Sequence, residues 1–114
     1  MERKPLSFSI SITVSGAVGG AGGSGSNTTP SNSAISNAGG YIKQIIVIAP
    51  YDSATFSFRI ENPNARPILR RTEQVGEIVD EVETPIAAGV YTCYIYNASH
   101  NGVYACEIMF AEVY

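Results

Sequence analysis

The sequence has no tryptophan, a single histidine, two cysteines and few charged residues. Lys, Arg, Asp and Glu together make up 15% of its 114 residues, against about 25% in typical soluble domains. The net charge of −3 does not favour nucleic acid as a partner, because nucleic-acid binding relies on a basic surface. One histidine and two widely spaced cysteines do not form a zinc-binding pattern, so no metal site is expected.

Long apolar runs are missing as well. No stretch approaches the roughly 18 apolar residues of a transmembrane helix, so we expect no membrane partner. The first residues alternate serine with apolar side chains instead of forming the continuous apolar region of a signal peptide, and we therefore expect no export signal. Without export, the two cysteines are expected to be thiols in a reducing compartment.

Charge is absent from residues 5 to 42, and within them Ser15–Gly40 has low complexity. This segment holds most of the 11 glycines of the chain, and its large apolar residues are Val18 and Ile35. Its composition is that of a flexible linker or loop. Ordering it would cost much backbone entropy, which contacts with neighbouring subunits could offset. The sequence thus predicts one domain over 1–114, with 15–40 as a Gly/Ser/Asn-rich arm or loop, and both interpretations of the arm stay open.

Several segments have the periodicity of β-strands. Leu6–Val14 alternates apolar residues with serine and threonine, which predicts one buried face and one uncharged face, either solvated or covered by another subunit. Tyr41–Ala49 is rich in β-branched residues and predicts a central strand. Ala54–Ile60 alternates again, and Ile68–Thr72 predicts a short strand at an edge.

The segment Glu73–Glu83 is ambiguous. Val75, Ile78, Val79 and Val82 fit helical spacing, whereas Gly76 and the β-branched residues oppose a helix. We favour an extended strand because the neighbouring segments are all strand-like. The segment holds half of the ten acidic residues, which predicts an acidic rim.

The C-terminal part contains two further alternating runs, Val90–Asn97 and Val103–Val113, joined by the connector Ala98–Gly102. This pattern predicts a β-hairpin with one apolar face. Cys93 and Cys106 would then share that face as buried small side chains, and a disulfide would form only if the connector placed them directly opposite. The strand count predicts an all-β fold, a small antiparallel β-sandwich (jelly-roll-like) of six to eight strands.

Residues with catalytic potential are few. His100 lies in the connector, where Asn101 and Gly102 predict a turn. The sequence indicates no nucleophile that would lie beside it. The acids after residue 76 lack the spacing of a calcium loop, and the glycines match neither a phosphate loop nor a dinucleotide fingerprint. We therefore expect no enzymatic activity and no cofactor. Tyrosines of the terminal strands that point outward suit protein contacts or stacking on sugars.

The segment Ile86–Tyr104, IAAGVYTCYIYNASHNGVY, resembles the last hairpin of small bacterial and viral jelly-roll sandwiches. A charge-poor arm joined to such a sandwich is similar to small accessory virion proteins of tailed bacteriophages, the capsid decoration or cement proteins. The resemblance implies a non-enzymatic structural protein located in the virion, which would be assembled in the host cytoplasm. Its partners would be the major capsid protein or other virion subunits, and it would be present in many copies or as a homo-oligomer.

The leading hypothesis is therefore a decoration protein that stabilises neighbouring capsid subunits through its arm and its neutral strands. The alternative is a carbohydrate-binding β-sandwich module that uses outward tyrosines. For the leading hypothesis, the candidate partner-contact residues are Leu6, Phe8, Val18, Ile35 and Tyr41.

Overall fold

The computed structural model describes residues 3–17, 22–28, 40–86 and 89–113. Within these residues the chain forms eight β-strands and no helix, which confirms the predicted all-β fold. The strands are β1 (Arg3–Val14), β2 (Gly23–Thr28), β3 (Gly40–Ile48), β4 (Thr55–Glu61), β5 (Pro67–Val75), β6 (Glu77–Ile86), β7 (Thr92–Ala98) and β8 (Gly102–Val113).

The strands form two antiparallel sheets of four strands each. The first sheet has the order β1-β8-β3-β6, and the second has the order β2-β7-β4-β5. The strand pairs are nested along the chain. The pair β4–β5 lies inside β3–β6, which lies inside β2–β7, which in turn lies inside β1–β8. This arrangement of eight strands in two packed sheets is that of a jelly roll.

The alternation seen in the sequence sets the core. In β1, Ile10, Ile12 and Val14 are almost fully buried, whereas Ser11 and Thr13 between them are exposed. The inward faces of β3, β4, β7 and β8 follow the same rule, because successive side chains of a strand point to opposite faces. The largest fully buried side chains are Tyr104, Phe56, Phe58, Ile12, Ile42, Ile45, Ile60, Ile78, Ile95 and Ile108.

Part of the segment predicted to be an arm or loop is strand β2. Gly23–Thr28 forms the edge strand of the second sheet, paired with β7. It also closes one side of the sandwich: Ser15 and Ser24 exchange backbone hydrogen bonds of 3.2 and 3.0 Å, and the Asn27 carboxamide donates to the Ser11 carbonyl oxygen at 2.9 Å. The glycine-rich composition thus serves a close approach between β2 and β1 and not only chain flexibility.

The predicted terminal hairpin is wrong, although both of its strands exist. β7 lies in the second sheet and β8 in the first, so the two strands face each other across the core instead of pairing. The connector carries the chain between sheets because Ser99 is tied to β4: its N–H donates to the Thr55 carbonyl oxygen and its hydroxyl accepts from the Thr55 N–H, both at 2.8 Å. Two consecutive strands with alternating apolar residues can pair within one sheet or face each other from two sheets. The periodicity of the sequence is the same in both cases and does not distinguish them.

The ambiguous segment is extended, as favoured from the sequence. Gly76 separates β5 from β6 with a φ of +74°, and its N–H donates to the Ala54 carbonyl oxygen at 2.8 Å. A Cβ at this position would lie 2.8 Å from the Asp52 carbonyl oxygen, so glycine is needed for both conformation and space. Beyond this crossing, Arg71 of β5 forms an ion pair with Asp80 of β6 across the open side of the sandwich.

Cys93 and Cys106 are buried free thiols in opposite sheets, so they do not share one face of a hairpin as predicted. A hydrogen bond with the Cys106 thiol, together with burial, raises the pKa of the Cys93 thiol well above its ordinary value. The two thiols thus form a pair within the core, in which Cys93 is held protonated.

This pair predicts a loss of stability in mild alkali. Above a pH of about 8.5, the unfolded chain ionises its cysteines while the folded chain holds Cys93 neutral, so proton release favours unfolding. The stabilisation is fully present below that pH and falls as pH rises towards the pKa of the folded state. We expect the midpoint of urea denaturation to fall between about pH 8 and 9.5, more steeply than in Cys93→Ala. Equal slopes in the two proteins would contradict the prediction.

Candidate interaction surface

The outer face of the first sheet is broad, and a few carboxylates are the charges among its outward positions. Its outward positions follow from the register, in which Ser11, Ala105 and Ile48 lie side by side across three strands. In the next row, Ser9, Glu107 and Ile46 are neighbours in the same way. We call this surface the neutral face; its members are Ser7, Ser9, Ser11, Thr13, Gln44, Ile46, Ile48, Glu77, Val79, Glu81, Val103, Ala105, Glu107 and Met109.

The neutral face contains large apolar side chains that are well exposed. Ile48, Val79 and Val103 expose 50%, 56% and 52% of their surface, respectively. Single exposed apolar residues are common, but these belong to one sheet surface together with serine, threonine and alanine. The serine, threonine, alanine, isoleucine and valine positions of this face carry no charge, so covering them costs less hydration than covering its carboxylates would.

The charges of this face lie mainly along one edge. Glu77 and Glu81 project from the edge strand β6, and Glu83 of the same strand pairs with Lys43 at 3.0 Å. Among the described side chains of β1 and β8 that point outward, Glu107 is the one carboxylate. The face therefore has an apolar and hydroxyl-bearing centre, one carboxylate within it and an acidic margin.

The predicted contact residues do not share one environment in the structure. Phe8 is 7% exposed and packs edge-to-face on Phe110 with ring centroids 5.1 Å apart, so its ring belongs to the core. Tyr41 is half-buried on β3. The backbone of Leu6 lies in β1, and its side chain is outside the description. Val18 and Ile35 lie outside the described residues.

The outer face of the second sheet has a different character. Tyr94 and Tyr96 point outward from β7, since Cys93 and Ile95 between and beside them are fully buried. The Arg59 guanidinium lies 4.2 Å from the centroid of the Tyr94 ring and 5.1 Å from that of Tyr96. Sequence reasoning found the outward tyrosines and missed this arginine, whose place beside them is set by pairing between β4 and β7.

Arg59 is held in place by a second contact. Its Nε donates to a carboxylate oxygen of Glu61 at 2.8 Å, and the two side chains expose 28% and 13% of their surface. The pair neutralises itself, so the cation–π contacts with both tyrosines stiffen the middle of this face without adding net charge.

The single histidine, His100, contacts one residue of the connector and one residue outside it. The Nδ1 atom of His100 lies 2.7 Å from the Ser99 hydroxyl oxygen, which also accepts the N–H of Thr55. The His100 ring contacts Tyr51 with centroids 5.1 Å apart. Among the described residues, no group of three or more His, Cys, Asp or Glu side chains has the arrangement of a metal site. The same part of the chain contains no helix that is long and apolar enough to span a membrane.

Comparison with protein-family models gives no match, and comparison with curated proteins gives none either. Similar folds are found among solved structures. The C-terminal CBM6 of LamC, a marine laminarinase of Zobellia galactanivorans, matches with 15% identity and a TM-score of 0.47, over 96% of this chain and 100% of that one. The Drosophila NLP-core, a pentamer-forming and histone-binding domain, matches with 11% identity and a TM-score of 0.46, over 97% and 98% of the two chains.

A viral protein matches over a smaller part of its own length. Tailspike protein 4 of bacteriophage CBA120 is similar at 11% identity with a TM-score of 0.41, over 100% of this chain and 18% of that one. The sequence identities and TM-scores of these three matches are too low to support an argument about function. The β-sandwich is established by the strand order of the chain itself.

Proposed function

We propose that this protein is a non-enzymatic structural component of a viral particle, of the decoration or cement type, which stabilises neighbouring capsid subunits by lying across them. The observation that carries the proposal is the neutral face, with Ile48, Val79 and Val103 about half exposed on one sheet surface. The centres of protein interfaces are depleted of charge in the same way, and charges gather at their margins.

Burial of the neutral face supplies the driving force. Each Å² of apolar surface removed from water contributes roughly 25 cal/mol, and serine hydroxyls can find partners on a facing protein surface. The binding of one copy is expected to be modest. When many copies bind neighbouring subunits of one particle, each bridging contact becomes effectively intramolecular, and the weak contacts add up to a stable lattice.

The partner surface follows from the charge pattern. It would be flat, with apolar and small polar residues opposite Ile48 and Val79, and with a basic side chain able to meet Glu107. The acidic margin along β6 favours basic residues at the edge of the contact. Multiple copies of this chain in the particle are part of the same proposal, as is the absence of nucleic acid and membrane from its partners.

The test places a charge in the centre of the face. Ile48→Lys and Ala105→Lys alter exposed positions on the inner strands β3 and β8, so both variants are expected to fold. Purified protein would be added to particles of the encoding virus that lack it, and bound copies measured after sedimentation. We expect each variant to bind at least about tenfold more weakly than the unaltered chain, because an unpaired ammonium would be buried. Thr72→Lys, on the exposed side of β5, is the matched control and should bind normally.

Unaltered binding of both Ile48→Lys and Ala105→Lys would contradict the proposal, since a lysine cannot be accommodated at the centre of an uncharged contact at no cost. Equal weakening by Thr72→Lys would contradict it too, because the effect would then depend on net charge and not on this face.

A second candidate function is carbohydrate binding, and it belongs to the opposite side of the sandwich. The observation that favours it is the outward orientation of Tyr94 and Tyr96 on the second sheet. The two functions use different faces, so each can be tested separately.

A further inference from the structure

The second sheet contains a hollow on its outer side, close to the end of β4. Its volume is about 400 Å³, within the range of roughly 300–1,000 Å³ found for ligand clefts. Four of its six lining residues are polar. The lining residues are Thr55, Phe56, Ser57, Glu73, Val75 and Asn97.

Two β-bulges create the hollow, one on each side of β4. On β5, the pairing slips between Phe56 and Phe58, which gives β5 an extra residue opposite Ser57. On β7, Tyr96 pairs with Ser57, but Ser99 and not Ala98 bonds to Thr55, so β7 also carries an extra residue. Bulges bend and twist a strand and redirect its side chains. Two of them at the level of Ser57 curve the sheet into a concave surface.

The two bulges hold residues in a conformation that ordinary side chains rarely adopt. Glu73 has a φ of 55° and Asn97 a φ of 51°. Asparagine tolerates the left-handed region, but glutamate is strained there. Glycine would adopt the same backbone conformation at a lower cost in free energy. Strained residues of this kind cluster at ligand sites, where the strain fixes the direction of a side chain. Both strained residues line the same hollow.

The polar groups of the hollow are available to a ligand. Ser57 is 5% exposed and is the one buried polar residue among the described residues. Its hydroxyl accepts the Glu73 N–H at 3.4 Å, a long hydrogen bond that leaves the hydroxyl proton free to donate. Within the described part of the chain, no hydrogen bond engages the Glu73 carboxylate or the Asn97 carboxamide. Together with Thr55, these groups offer both donors and acceptors.

Apolar surface flanks the polar groups. Val75, 59% exposed, is part of the lining, and Tyr96 stands next to Ser57 on the neighbouring strand. The Arg59 guanidinium lies 5.1 Å from the centroid of the Tyr96 ring and helps to hold that ring in place. A ligand that fits must present hydroxyl groups along one side and C–H groups along another. A metal ion is a poor match, because a single carboxylate faces the hollow.

We propose that this hollow binds one neutral sugar residue of a glycan, with its hydroxyls on Glu73, Asn97 and Ser57 and its C–H face against Tyr96. The proposal rests on the second candidate function, carbohydrate binding, and gives it a site and a ligand class. It is independent of the neutral face, which lies on the other side of the sandwich.

The site can be tested by NMR titration of the ¹⁵N-labelled chain. The probes are D-glucose, D-galactose and N-acetyl-D-glucosamine, each added separately up to about 50 mM, because a single sugar on an open site is expected to bind with a Kd in the millimolar range. We expect saturable shifts for at least one sugar at the amides of Ser57, Glu73 and Asn97. Shifts that centre on Tyr94 would support carbohydrate binding but overturn this site, and no saturable shift with any sugar would overturn both.

Variants separate a ligand role for Glu73 from a structural one. Glu73→Gly removes the carboxylate and relaxes the backbone, so it should raise the denaturation midpoint while weakening sugar binding about tenfold or more. Glu73→Gln should weaken binding similarly at unchanged stability. Glu77→Gln, an exposed acid of the first sheet, and Tyr51→Ala, an exposed tyrosine outside the hollow, are matched controls that should bind as the unaltered chain does. Normal binding by Glu73→Gly would show that Glu73 serves the bulge alone and would overturn the proposal.

Discussion

Replacing Gly25 with alanine is expected to destabilise the protein by about 3 kcal/mol, far more than a change in an edge strand normally costs. A Cβ at this position would run into the backbone carbonyl of Thr13 on β1, and it would lie 3.3 Å from a methyl group of Ile12. Backbone atoms cannot move aside as a flexible side chain can. β1 and β2 would have to separate, and the Ser15–Ser24 bridge and the Asn27–Ser11 hydrogen bond would be strained with them.

The free energy of unfolding from urea titration measures this effect, and hydrogen exchange locates it. Faster exchange should be confined to β2 and to the part of β1 that it covers, if the rest of the sandwich survives. Ser26→Ala, an exposed position on the same strand, is the control and should change stability by less than about 0.5 kcal/mol. A cost for Gly25→Ala as small as the control's would mean that β2 does not pack closely on β1.

This glycine shows where composition misleads. A stretch rich in glycine and serine has the signature of a linker, because its side chains cannot form a core. The property that removes side chains also allows two backbones to approach closely, and composition does not distinguish the two uses. The strand β2 could be suspected from the sequence only if the partner strand were already known, since Gly25 acquires its role from Thr13, which lies on another sheet.

The faces of the long strands were predictable, and the way they are connected was not. Alternation in Leu6–Val14 and in Ala54–Ile60 gave the buried face directly, because a strand at the surface of a core has a period of two. Alternation contains no information on the partner strand. The pairing of β8 with β1 joins the two ends of the described chain, and such a contact follows from tertiary packing and not from any local signal.

The candidate surfaces were predicted in part for the same reason. The uncharged outer face of β1 could be read from its serines, and the structure extends it by adding Ile48 and Val79 from β3 and β6. The hollow could not be predicted, because it arises from two bulges whose positions depend on strand register. Phe8, a candidate contact residue, shares the buried face of its strand, and this periodicity by itself places its ring in the core.

Truncation of Tyr104 to alanine is expected to cost about 3–5 kcal/mol, the range for loss of a buried aromatic ring, out of a total stability of about 5–15 kcal/mol for a domain. Tyr104 is among the largest fully buried side chains, and its ring meets Phe56 edge-to-face with centroids 5.3 Å apart. Because Tyr104 belongs to β8 and Phe56 to β4, this contact joins the two sheets. The cavity would open between them, where no neighbouring strand can close it.

Tyr104→Phe separates the ring from its hydroxyl. The hydroxyl donates to the His100 carbonyl oxygen at 2.9 Å and so ties the connector to the core, while burial raises the pKa of the phenol. Keeping the ring and losing this bond should cost about 1 kcal/mol, and the alanine variant should cost several times more. Urea denaturation measures both, with Ser26→Ala, an exposed position on β2, as the control. Equal costs for the two Tyr104 variants would assign its contribution to the connector bond and not to packing between the sheets. The expected order instead makes the inter-sheet contact the main contribution of Tyr104: β7 and β8 do not pair with each other, so backbone pairing joins each of them to its own sheet, and side chains such as Tyr104 and Phe56 join the two sheets across the core.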